Sequence, residues 1–152
     1  MRNQLIEALI NKAGYDDVRG ILENHQEAVE IKHHYGRLPL HIAFQFKATE
    51  DVIRMLFASF PLAAEVQDAS GRLLLHYALQ LNAPVRILKF LVTAYPVGLQ
   101  VQDDNGSLTI HLAVQNKVSD DVLKRMLAVY PEAFKVQDND GSLPIHLAKS
   151  YM

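Results

Sequence analysis

The sequence predicts an all-α solenoid: one domain made from a short helical unit used repeatedly. Two observations predict it. Gly36-Arg37-Leu38-Pro39-Leu40-His41-Ile42-Ala43 returns beginning at Gly71, Gly106 and Gly141, each copy 35 residues after the last. A second block, Phe60-Pro61, Tyr95-Pro96 and Tyr130-Pro131, keeps the same spacing, and each pair is followed by a Val-Gln-Asp that ends at Asp68, Asp103 or Asp138. A fixed period of this kind marks a stacked architecture in which each unit buries its apolar face against its neighbours.

Taken in chain order, residues 1–35 are a degenerate N-terminal cap. Leu5 falls under Leu40, Ala8 under Ala43, Val18 under Ile53 and Ile31 under Val66, but Ile6 replaces the histidine and His25-Gln26 the aromatic-proline pair. Residues 36–70, 71–105 and 106–140 are full units, and 141–152 is a partial one. Within a unit, the run from Leu38 to about Lys47 puts Leu40, Ala43 and Phe44 on one helical face, and Pro39 suits a first turn. This is helix A. Helix B carries Val52, Ile53, Leu56 and Phe57, an amphipathic spacing repeated from Ile87 and from Val122. Thr49 and Ser119 stand ready to cap it, acidic residues follow them, and Pro84 takes the same place in the third unit. The prolines at 61, 96 and 131 end helix B, and the Val-Gln-Asp-x-x-Gly stretch runs extended and then turns, with Gly36, Gly71, Gly106 and Gly141 free to take positive φ.

Composition bounds the function. With 49% hydrophobic and 21% charged residues the chain has enough apolar surface to bury a core. A net charge of −2 removes the long-range attraction that drives non-specific nucleic-acid binding, so no nucleic-acid partner is expected. The absence of cysteine excludes disulfides and thiolate metal sites and fits cytosol or nucleus. No apolar run reaches the roughly 18 to 20 residues that cross a bilayer, and Arg2, Asn3, Gln4 and Glu7 interrupt the N-terminal segment, so no membrane partner is expected either.

The motif G-x-L-P-L-H-x-A, preceded by D-x-x and followed by a second helix, resembles the ankyrin repeat core over nearly the whole chain. That resemblance implies an ankyrin-like α-solenoid of antiparallel helix pairs, with turns projecting as fingers beside the inner helices to form a concave face that binds proteins. Two features depart from the family pattern. The period is 35 where about 33 is usual, and Leu38, Leu73, Leu108 and Leu143 stand where a capping Thr is expected, leaving Ser107 and Ser142 as candidate caps. A different helix-pair solenoid is the alternative.

The column His41, His76, His111 and His146 invites a metal or acid-base reading. Equivalent side chains in stacked units lie a helix-packing distance of roughly 8 to 10 Å apart, whereas imidazoles sharing a zinc need bonds of about 2 Å. A structural role follows, each ring bonding turn backbone and tying one finger to the next. His25, His33 and His34 are surface residues, Asp68, Asp103 and Asp138 are Asx-turn formers, and Arg19, Arg54, Lys89 and Lys124 are a solvated ladder on helix B, with Glu50–Arg54 and Asp120–Lys124 as i,i+4 pairs. Neither catalytic residues nor a cofactor or metal site is expected.

Under the ankyrin frame the variable, partner-binding positions are Tyr35, Arg37, Gln45 and Phe46, then Arg72, Gln80 and Leu81, then Asp104, Asn105, Gln115 and Asn116, and finally Asp140. The face grades from aromatic and cationic to acidic and amide-rich, which places the hot spot in the N-terminal half; the alternative is that Phe46 and Leu81 pack under neighbouring fingers. The expected function is a non-enzymatic interaction or scaffold module; the alternative is a structural spacer or self-associating piece of a longer repeat protein. A monomer is expected, with head-to-tail association possible through Leu143, Ile145, Leu147 and Tyr151 at the open C-terminal end.

Overall fold

Short helices alternate with tight turns along the whole computed structural model, which describes residues 3–148. Met1, Arg2, Tyr151 and Met152 lie outside the described residues, as does the side chain of Leu147. Among the described residues there are nine α-helices: α1 (Gln4–Ile10), α2 (Tyr15–Asn24), α3 (Pro39–Gln45), α4 (Glu50–Ser59), α5 (Leu74–Gln80), α6 (Val85–Ala94), α7 (Thr109–Gln115), α8 (Asp120–Val129) and α9 (Pro144–Ala148). None is long and apolar enough to cross a membrane.

The A helices touch in sequence, α1 on α3, α3 on α5, α5 on α7 and α7 on α9, and each packs on the B helix that follows it where both are described. The sequence pattern predicts one apolar face for helix A; the structure buries Pro39 to Phe44 and Leu74 to Leu79 without a break. A helix apolar on every side belongs in an interior layer, and the neighbours on either hand supply it. The B helices bury one stripe, Val52, Ile53 and Leu56 in α4, and leave Asp51 and Arg54 to solvent.

Thr49 and Ser119 do occupy the N-cap positions of α4 and α8, but neither side chain makes a cap bond. Acidic first turns, Glu50-Asp51 and Asp120-Asp121, remain to favour the positive helix end. The Glu50–Arg54 pair forms at 2.9 Å. Among the described residues no Asp120–Lys124 pair does; Lys89 instead reaches Asp121 of the next unit at 3.6 Å.

Two local structures repeat without having been expected. Helix A ends in a Schellman motif: Lys47 donates to the Phe44 carbonyl at 3.1 Å and Ala48 to Ala43 at 2.9 Å. The left-handed residue is Lys12, Lys47, Asn82 or Lys117, with φ of 54 to 56°, so glycine is not the signal here. After helix B the proline opens a 3-10 turn, Pro61–Glu65, Pro96–Gln100 and Pro131–Lys135. Gln26–Glu30 makes the same turn without proline.

Candidate binding face

The turn between the 3-10 segment and the next helix A is a hairpin closed by backbone bonds. Asp68 donates its N–H to the Arg72 carbonyl and its own carbonyl accepts from Gly71, both at 3.0 Å. Gly71 sits at φ 73°, the left-handed position that such a bulged hairpin requires. Asp68 Oδ1 then accepts the N–H groups of Ser70 and Arg72 at 2.8 and 2.9 Å. Asp103 and Asp138 repeat both side-chain bonds. Neighbouring turns are joined: Ala69 donates to the Tyr35 carbonyl, Asp104 to Ser70 and Asn139 to Asn105, at 2.7 to 2.9 Å. The approach is close enough that a Cβ on Gly71 would lie 2.9 Å from Asp104 Oδ1.

The histidines fasten these turns to the helices. Nδ1 of His41, His76, His111 and His146 accepts the N–H of Leu38, Leu73, Leu108 and Leu143 at 2.9 to 3.1 Å. The ring therefore supplies the helix-A cap, and the expected caps Ser107 and Ser142 lend backbone instead. Nε2 of His76 faces the Ser107 carbonyl at 3.3 Å, and Nε2 of His111 the Ser142 carbonyl at 3.2 Å. His41 breaks this pattern. The Arg72 carbonyl lies near enough to favour a charged ring, but not in hydrogen-bonding geometry, and Nε2 is buried without a partner. Burial dominates and pushes its pKa down to about 4, against the opposite pull of Asp68 and of the Val66 and Arg72 backbone. Burial lowers His76 as well. His146 is exposed, so its place in the column is not matched by enclosure.

Between the first two turns lies a polar cluster that the sequence reading missed. Tyr77 donates its hydroxyl to Asp68 Oδ2 at 2.6 Å, and its ring meets His41 edge-on with centroids 5.2 Å apart. Arg72 lies over the same tyrosine at 4.8 Å, with Nε 3.5 Å from Asp68 Oδ2 yet not hydrogen-bonded to it. Burial by itself would raise the Asp68 pKa; the Tyr77 hydroxyl, the backbone N–H groups of Arg72 and Ser70 and the Arg72 charge outweigh it and hold the carboxyl below its usual range. Burial, and then Asp68, push Tyr77 up to about 12. One signal was available: Tyr77 is the hydroxyl-bearing member of a column otherwise filled by Ile42, Leu112 and Leu147.

The first turn has the same closing bonds, His33 to Arg37 at 2.7 Å and Gly36 to His33 at 3.0 Å. His33 stands where the other turns have Asp, and Tyr35 takes φ 62°, an unfavourable region for an aromatic residue. Its side chain is 76% exposed. Arg37 Nε donates to the His34 carbonyl at 3.1 Å, Nη1 bonds Gln45 Oε1, and the guanidinium lies 5.6 Å from the Tyr35 ring. Partial burial, then His34 and Arg37, lowers the His33 pKa.

The predicted binding residues thus divide. Tyr35, Gln45, Gln80, Asp104, Asn105, Gln115 and Asp140 are exposed, and Arg37 and Arg72 are half-buried. Phe46 and Leu81 stand at the C-cap of helix A and are half-buried against the core. Asn116 is half-buried in the same position. Among the described residues no group of three or more His, Asp or Glu side chains is arranged to hold a metal. No protein-family model matches the chain, and no curated protein matches it.

Proposed function

We propose that the chain is an ankyrin-type helical solenoid that binds a protein partner on the face made by its turns and the adjoining ends of its A helices, and that it is not an enzyme. One observation carries this reading: the stack is held by backbone bonds that any residue type can make and by a few constant residues, while the exposed side chains of the same turns change from unit to unit. The constant set is the histidine and the turn glycine; the changing set includes Tyr35, Ser70, Asn105 and Asp140. Side chains with no duty in holding the fold are free to specify a partner. The continuous row of A helices and the turn-to-turn bonds support the solenoid. The proposed compartment is cytosol, with nucleus as the second choice.

The aromatic and guanidinium groups of the first turn are the proposed centre of binding. A partner captured from lysate by cross-linking, then titrated against purified variants, tests the face. Tyr35→Ala with Arg37→Ala is expected to weaken binding about a hundredfold, two contacts of roughly 1.4 kcal/mol each. Asp104→Ala is expected to change it little. A larger loss from Asp104→Ala moves the centre to the other half, and full binding by both variants sinks the proposed face.

A second reading, self-association, draws on the apolar groove of about 240 Å³ beside α1 and α2, lined by Leu5, Ile21, Ala28 and Ile31. Light scattering over a concentration series separates it from a monomeric module.

A further inference from the structure

We propose that Arg37 and Arg72 form a two-rung guanidinium clamp for an acidic peptide segment of the partner, an inference that rests on the binding face argued above. The two arginines occupy the same position in successive units, and each is held the same way. A glutamine eight residues on, at the end of helix A, fixes one terminal nitrogen: Gln45 for Arg37, and Gln80 for Arg72 at 3.1 Å. A tyrosine ring supports each plane, Tyr35 for the first and Tyr77 for the second. A guanidinium held by a neutral amide and an aromatic face keeps its charge and loses little entropy on pairing.

The two charges differ in how far the protein neutralises them, because Arg72 has an ion pair with Asp68 at 3.5 Å. Arg37 has no carboxylate partner among the described residues. Arg72 lies beside Asp68, but that carboxylate already accepts two backbone N–H groups and the Tyr77 hydroxyl, and Arg72 Nε is buried without a hydrogen bond. The second terminal nitrogen, Nη2, of both arginines has no bond among the described residues, leaving a charged donor for a carboxylate. In the third and fourth turns the same column holds Ser107 and Ser142, and the turn tips carry Asp104 and Asp140. The face therefore attracts carboxylates at the first two turns and repels them at the last two, which also fixes the direction in which such a segment lies.

The test uses the whole chain, isotope-labelled, titrated at low salt with a decaglutamate peptide, with decalysine and a ten-nucleotide single strand as comparison probes. Decaglutamate is expected to shift the side-chain signals of Arg37, Gln45, Arg72 and Gln80 saturably. Arg37→Gln with Arg72→Gln should weaken binding tenfold or more, while Arg19→Gln with Arg54→Gln on helix B should change it less than twofold. Because Arg72 packs on Tyr77, Arg37→Gln alone is measured too; its bonds are to exposed neighbours, and a loss of severalfold is expected. The inference fails if those four side chains do not shift, if the helix-B variants weaken binding equally, or if the oligonucleotide binds more tightly than the peptide. If the captured partner still binds Arg37→Gln with Arg72→Gln but not Tyr35→Ala, the clamp fails and the binding face stands. Indifference of the partner to every turn variant removes both.

Discussion

The first turn, His33–Arg37, and the three that follow trace one contour by different means. In the later turns an aspartate accepts two backbone N–H groups, and the residue two places on keeps an ordinary negative φ. The first turn has His33 there, no such acceptor, and a tyrosine forced to φ 62°. The left-handed region costs an ordinary residue about 1 to 2 kcal/mol, and the turn holds because Tyr35 lends its carbonyl to Ala69 and Arg37 braces the loop on Gln45. The comparison teaches that closing the turn needs the two backbone bonds and the glycine, whereas the aspartate adds stability. Where it is missing, the turn exposes its aromatic ring and an uncompensated cation. The least stabilised turn is the one proposed to bind.

The largest effect expected from breaking this contrast is at Asp68. Asp68→Ala leaves two turn N–H groups and the Tyr77 hydroxyl without their acceptor in a buried place, and should cost about 3 kcal/mol by urea denaturation. His33→Ala, at the same position of the first turn, should change stability by less than about 0.5 kcal/mol. Equal losses would mean that the two turns are held alike after all.

A smaller effect is expected with pH. His41 has a folded pKa of about 4, below the roughly 6.5 of an unfolded chain. The unfolded state then binds more protons between those values, so stability is present above pH 6.5 and is lost as pH falls toward 4. From pH 8 to pH 5 the loss from His41 is on the order of 2 kcal/mol. Asp68, whose folded pKa is also depressed, adds a loss of the same sign at still lower pH. Melting at pH 8 and pH 5 should show the fall in the natural chain and a shallower one in His41→Asn.

The smallest expected change sharpens the contrast by repairing the first turn. Tyr35→Gly removes the left-handed strain and should raise stability by about 1 kcal/mol. It should also weaken the partner, since the exposed ring goes with it. A variant both more stable and equally tight would detach the strain from binding.

From the sequence came the period, the helix pairs, the positive φ of the turn glycines and the Asx role of the aspartates, because these depend on residue type and spacing within one unit. The same local logic failed at Thr49 and Ser119, which sit at caps and bond nothing, and at Lys47, where neighbouring backbone bonds impose a left-handed residue that has no marker in its type. It left Phe46 and Leu81 open between exposed and packed, and they are half-buried against the core. How identical columns come to differ depends on contacts between units. His41, His76 and His146 share a motif, yet one ring is buried with a bare nitrogen, one reaches the next turn, and one is exposed. Asp68 is buried under Tyr77 while Asp103 and Asp138 are not. A repeat fixes what each residue does within its own unit; burial and charge depend on the side chains facing it from the next, and there the units differ.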